Sequence, residues 1–160
     1  ENAEKLIYRP KETYDGAIPS GNSVAAYCLI KLSAITADVK LQEIADIQLR
    51  FLANEAEEYP SGFSFALISI LNVLNPSMEI VCALSSEDDL QKLKQITRKK
   101  FLPNTTILVK DERNSQQIEN IAEYTKECNV TDDKSTFYIC ENRACSQPIH
   151  DFSQLEKRLT

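Results

Sequence analysis

Two halves of unlike pattern predict an α+β chain. Residues 1–76 place apolar side chains at helical spacing, whereas residues 77–160 alternate short β-rich runs with helical stretches. The change falls at Asn75-Pro76, a dipeptide that cannot continue a helix. The expected architecture is N-terminal α-hairpins over 1–76, followed at 77–160 by a small three-stranded parallel α/β unit.

The first helix is expected from Ser20, with Val24, Cys28, Leu32 and Ile35 recurring at helical spacing and a break at 36–40. A second runs over 41–57. Leu41, Ala45, Leu49 and Leu52 form one stripe, and Ile44, Ile47 and Phe51 widen it, so both flanks are expected to be buried. Tyr59, Pro60, Ser61 and Gly62 signal a turn, after which Phe63, Leu67, Ile70, Leu71 and Leu74 mark a third helix ending before Asn75. Stacked αα-hairpins bury their faces against further hairpins, so three helices read as an incomplete set.

In the second half, residues 79–84, 105–109 and 135–140 are the β-rich runs. Leu90, Leu93 and Phe101 mark the first intervening helical stretch, and Ile118, Ile121, Ala122 and Thr125 the second. Right-handed crossovers between such runs predict a parallel sheet. A last helix begins near Asp151, either capped by Asp151 with Gln154 three residues on, or by Ser153 with Glu156.

The charge balance bounds the partners. Eighteen basic against 24 acidic residues leave a net charge of −6, and the one dense basic run, Arg98-Lys99-Lys100, falls on a helix where a solvated face is expected, which argues against nucleic acid. The longest apolar stretch, 63–74, is interrupted by Ser64, Ser69 and Asn72 and is shorter than the ~20 residues of a membrane span. The chain opens at Glu1 with no Met and no apolar leader, so the expectation is a fragment of a longer protein. Five cysteines, an odd and scattered number, fit a reducing cytoplasmic setting better than a disulfide scaffold. Cys28, Cys82 and Cys128 each fall within an apolar pattern and are read as packing residues.

Three places draw functional attention. If the three strands are parallel, Ser85, Asp111 and Glu141 emerge at one carboxyl edge, the usual binding edge of open α/β sheets. The first turn there, 85–89, has no glycine and carries three carboxylates, which disfavours a dinucleotide cofactor; no cofactor is expected. The second place is the loop holding Cys140 and Cys145. A fully extended chain would separate their α-carbons by roughly 17 Å, whereas a disulfide needs less than ~7 Å. Bridging therefore requires a tight loop, which Asn142 and Pro148 permit. The pair reads as a redox or nucleophilic site, helped by a helix start near Asp151, or as reduced thiols that pack the loop. Zinc on Cys140, Cys145 and His150 would need a fourth ligand, for which Cys128 is the candidate, and no metal is expected. The third place is 14–23, which holds two of the three glycines. It reads as helix initiation, with Pro19 fixing the approach and Ser20 or Asn22 capping, or as the lining of a polar pocket in which Tyr14, Asp15 and Asn22 bind a ligand.

Residues 9–25 (with Arg9, Pro10, Tyr14, Asp15, Gly16, Pro19, Ser20 and Asn22), 101–104 (Phe101, Leu102, Pro103, Asn104) and 138–148 (with Tyr138, Cys140, Asn142, Cys145 and Pro148) lie in one order along nearly the whole chain. Together they resemble the carboxy-terminal quarter of the large thioredoxin-domain-containing proteins, the YyaL-like group and its spermatogenesis-associated relatives. That resemblance implies a parent with an N-terminal thioredoxin-like domain and an α/α toroid similar to six-hairpin glycosidases and N-acylglucosamine 2-epimerases. This chain would supply the toroid's last helices over 1–76 and the α/β appendage after them. The implied partners are the rest of the parent chain and a sugar ligand. His150 is not part of the family's cysteine motif, which lowers the zinc reading further.

Three functions follow from this reading. One is a carbohydrate-active parent, epimerase or hydrolase, in which this piece is itself inactive and places Tyr14, Asp15 and Asn22 at the rim. Another is a non-catalytic interaction or regulatory module whose cysteine loop exchanges thiols with the parent's thioredoxin domain. The third is an appendage that only covers the end of the toroid.

Overall fold

The computed structural model describes residues 11–141 and 144–159. Arg9 and Pro10 of the first matching segment, and Asn142 of the cysteine loop, lie outside the described residues. The architecture is α+β.

Helix α1 (Gly21–Thr36) starts where the Ser20 hydroxyl accepts from the Ser23 N–H, and ends at Ala37, whose left-handed backbone (φ 56°) lets its N–H reach the Ser33 carbonyl. Helix α2 (Val39–Glu58) is capped by Asp38, which accepts from the Lys40 N–H. A 3₁₀ turn at Pro60–Phe63 leads into α3 (Ser64–Leu74), which has no side-chain cap from its own flanking residue. The three helices close on Ala26, Leu49, Leu52, Ala56, Phe63 and Ala66.

The face of α1 differs from the expected stripe. Ser23 and Ala26 are its buried residues, while Val24, Cys28 and Leu32 are exposed, so Cys28 is a surface thiol and not a packing residue. On α2 the stripe through Ala45, Leu49, Leu52 and Ala56 is buried, but the widening flank of Ile44, Ile47 and Phe51 faces outward. Both corrections have one cause: the periodicity records more apolar surface than two neighbouring helices can cover.

The second unit comprises β1 (Met78–Ala83), α4 (Glu87–Thr97), β2 (Thr105–Lys110), α5 (Ser115–Ile121), a 3₁₀ turn at Glu123–Glu127, β3 (Thr136–Glu141), β4 (Ala144–Cys145) and α6 (Phe152–Arg158). The sheet order is β2-β1-β3-β4. Strands β1 and β2 are parallel, joined across α4 as expected. Strand β3, however, is antiparallel to β1, with Ala83 opposite Thr136 and Met78 opposite Glu141, so the sheet is mixed, not all-parallel. A seven-residue helix advances only about 10 Å, and the 3₁₀ turn after α5 does not carry the chain the length of the sheet. The chain re-enters at the edge it left. A turn with Asp132 and Asp133 both at positive φ, closed by a Thr131–Lys134 bridge, then aims it into β3.

Alternation sorts the sheet into two faces. Ile80, Cys82, Phe137 and Ile139 point to one side and pack with Leu93 of α4 and with Leu155 and Leu159 at the last helix. Phe137 meets Phe152 edge-on, with ring centroids 4.9 Å apart. Of the two alternative caps for α6, Asp151 is used, accepting from the Ser153 N–H at 2.7 Å. Glu79, Val81 and Ala83 of β1, with Tyr138 and Cys140 of β3, point to the other side, toward the helical unit and the 3₁₀ turn.

Candidate functional site

The 14–23 segment is tied into the fold by its polar groups. Asp15 is 5% exposed and its carboxylate accepts from the N–H of Ser20 at 2.8 Å and from those of Phe65 and Ala66 at 2.9 Å. It thereby caps α3 from fifty residues away, supplying what that helix lacks locally. Burial alone would raise the Asp15 pKa, but the N–H groups of Ser20, Ala66 and Phe65 and the Ser23 hydroxyl together hold it below the ordinary carboxylate value. Asn22 donates to the Glu12 carbonyl at 2.6 Å and accepts from Gln48 at 3.1 Å. Tyr14 is half-exposed, its ring parallel to Tyr59 at 6.5 Å. Gly62 lies against both rings, where a Cβ would come within 2.6 Å of Tyr59 and 2.8 Å of Tyr14. The three ligand candidates thus share one corner, with Tyr14 offering an open aromatic face and Asp15 and Asn22 facing the protein.

Cys140 and Cys145 stand opposite one another in the β3–β4 ladder, α-carbons 3.9 Å apart, and are joined as a disulfide. In the structure the two sulfurs are joined, and sulfurs engaged in this way do not ligate zinc. No group of three metal-ligating side chains occurs among the described residues. His150 places Nδ1 3.3 Å from the Thr136 hydroxyl. Cys145 is exposed and Cys140 partly buried.

The bridge lines a cleft of about 630 Å³ between the helical unit and the sheet. Its helical wall includes Ile30, Ala34, Gln42 and Asp46, and its sheet side carries Glu79, Tyr124 and the two half-cystines. Glu79 is the direct cross-strand neighbour of Cys140. Tyr124 is pushed up to about 12, chiefly by burial, then by Cys128 and Glu79. Lys31 approaches from α1 outside the lining, its ammonium 2.8 Å from the Pro103 carbonyl and 5.7 Å from the Tyr27 ring centre.

The carboxyl edge holds a second hollow of about 430 Å³, lined by Ser85, Lys110, Asp111, Glu112 and Asn129 among others. Because β3 is reversed, Glu141 sits at the opposite end of the sheet, and Ser135 takes its place beside Ser85, accepting the Ser85 N–H at 2.9 Å. Lys110 is 4% exposed, paired with Glu119 at 2.7 Å and donating to the Thr125 carbonyl and Asn129. Asp111 is held low by the Arg113 guanidinium beside it. Sequence reasoning passed over Glu79, Asp46, Tyr124 and Lys110. Only Lys110 carried a signal, a lysine closing a β-rich run.

Among curated proteins the chain is similar to spermatogenesis-associated protein 20 of human, of rat and of mouse, each 27% identical over 156 residues. The match covers 96% of this chain and 20% of each relative, so the chain spans about a fifth of the length of the proteins it matches. No protein-family model matches it. No solved structure matches it. Among the described residues, no helix is long and apolar enough to cross a membrane.

Proposed function

We propose that this chain is the carboxy-terminal part of a longer, cytoplasmic thioredoxin-domain-containing protein and is not catalytic by itself, its helices completing the α/α toroid of that parent. The observation that carries this reading is the outward apolar flank of α2 and α3: Ile47 is 69% exposed, Leu71 56% and Leu74 74%. Apolar surface on this scale normally marks a contact. Further helical hairpins of the same chain are the natural cover, since each hairpin of a stack buries its flank on the next. The parent's chemistry would then be on carbohydrate, as epimerase or hydrolase. The Tyr14 ring beside Tyr59 offers the apolar face a sugar stacks on, with Asp15 and Asn22 fixing the loop from behind.

The test is to compare this chain alone with the same chain joined to the parent's preceding helices. Joining should raise the melting temperature of the helical unit, and the double change Ile47→Glu and Leu71→Glu should remove that gain while leaving the isolated chain folded. An isolated chain that melts as high as the joined one would reject the reading. A sugar panel that raises the melting temperature of the complete parent, and loses its effect with Tyr14→Ala, would place the rim.

A second reading, a regulatory module with a redox-sensitive cysteine loop, is favoured by the Cys140–Cys145 bridge on an edge strand. In a reducing compartment such bridges are commonly transient or sensing.

A further inference from the structure

We infer that the cleft between the helical unit and the sheet is a docking groove for a cationic thiol, a protein dithiol flanked by Lys or Arg, which reduces the bridge by attack on Cys145. This rests on the second reading above and adds the partner's charge, the sulfur attacked and the residues that select it.

The charge argument begins with the lining. Asp46 on α2 and Glu79 on β1 both border the cleft, and no Lys, Arg or His among the described residues lines it. Glu79 is the cross-strand neighbour of Cys140 on the same sheet face. Lys31 lies outside the lining, its ammonium donating to the Pro103 carbonyl while feeling the charge of Glu79. An approaching anionic thiolate therefore meets Asp46 and a Glu79 whose charge Lys31 offsets only in part from outside the lining, whereas a thiolate with a cation beside it gains attraction from the same groups. Gln42, Asn72 and Asn75 add polar lining on the helical wall.

The order of attack follows from access. Cys145 belongs to the two-residue outer strand and is exposed, while Cys140 lies between β1 and β4 and is partly buried. The partner thiolate forms a mixed disulfide with Cys145 Sγ as the Sγ–Sγ bond breaks. The released electron pair stays on Cys140, which takes a proton from water. The partner's second thiol then attacks its own sulfur in the mixed disulfide, freeing Cys145 as a thiol and leaving the partner oxidised. Two electrons and two protons pass from dithiol to bridge. Next to Glu79, the negative charge that develops on Cys140 Sγ is repelled, which makes Cys140 a poor leaving group. A cation docked by the partner would offset this repulsion, so reduction is coupled to recognition.

The experiment measures reduction of the native bridge by cysteamine, 2-mercaptoethanol and 3-mercaptopropionate, with rates expressed per thiolate. Acid-quenched adducts are then mapped on the tryptic peptides 135–143 and 144–157, which Arg143 separates. Cys28→Ser serves as background to remove the surface thiol. Cysteamine should exceed 3-mercaptopropionate by roughly threefold to tenfold. Adducts should fall on 144–157. Asp46→Asn with Glu79→Gln should collapse the ratio toward what overall net charge alone imposes, which the two changes bring from −6 to −4. Asn72→Asp should widen it, which keeps the test valid if the double variant does not fold. An unchanged ratio in the folded double variant, or adducts on 135–143, would overturn the inference while sparing the redox reading. A bridge that is absent from the native protein, or that resists all three thiols until unfolding, would remove that reading as well.

Discussion

The helical unit and the sheet unit reach stability by different routes. The sheet unit closes a continuous apolar core, in which Ile80, Cys82, Phe137, Ile139 and Leu155 are at most 1% exposed. The helical unit has a smaller core, three of whose six buried members are alanines, and its larger apolar side chains, Ile44, Ile47, Leu71 and Leu74 among them, face outward. In place of missing apolar burial it has a buried carboxylate, Asp15, drawing together the starts of α1 and α3. A unit that closes its own core depends on side-chain volume; one that leaves its flanks open depends on a few directed hydrogen bonds.

Core truncation should separate the two most strongly. Phe137→Ala removes a fully buried ring and is expected to destabilise the sheet unit by about 3–5 kcal/mol. The helical unit's counterpart, Leu52→Ala, should cost about 2–4 kcal/mol, reduced where open flanks let the helices close in. Chemical denaturation followed by near-UV and far-UV signals would check both, and equal losses would erase the distinction.

Acid should weaken the helical unit through Asp15. The folded Asp15 titrates below its unfolded value of ~3.9, so its contribution is complete above that pH and disappears as pH falls through the depressed folded value. Asp15→Ala leaves three backbone donors without their acceptor and should cost about 2–4 kcal/mol at neutral pH. Melting curves between pH 6 and pH 2 should show the wild-type helical unit approaching the variant at the acid end. A variant whose stability falls in parallel with wild type would assign the acid sensitivity to other carboxylates.

The smallest effect sharpens the same contrast. Gly62→Ala would bring a methyl group against the exposed rings of Tyr14 and Tyr59, which can swing aside. The expected cost is about 1 kcal/mol, and the Tyr14 fluorescence environment should change more than the melting temperature does.

Helix positions were legible where periodicity and punctuation agree: Ser20 and Asp151, both read as caps from sequence, do cap α1 and α6, whereas the caps Asp38 and Ser86 emerge only in the structure. The direction of β3 was not legible. Ile118, Ala122 and Thr125 have helical spacing but belong to a short helix and a 3₁₀ turn that never cross the sheet. Periodicity measures the kind of element, whereas strand direction depends on how far the connection travels. The outward face of Cys28 was hidden for a related reason, since an apolar stripe does not say whether a neighbour exists to cover it. At the site, the Cys140–Cys145 loop was visible in sequence, but its acidic neighbours Asp46 and Glu79 come from distant segments and only folding brings them to one cleft.

The long-range cap of α3 also sets an order of events. Its donors at Phe65 and Ala66 can be satisfied by Asp15 only after a loop of about fifty residues closes, an entropic cost that local helix formation does not carry. Helices α1 and α2 can pair through a two-residue connection at Ala37 and Asp38 well before this. Docking of the segment around Asp15 is thus expected late in folding, and Asp15→Ala should speed unfolding more than it slows folding in stopped-flow measurements. On that expectation, the latch formed by this carboxylate sets how long the helical unit stays closed more than how quickly it first assembles.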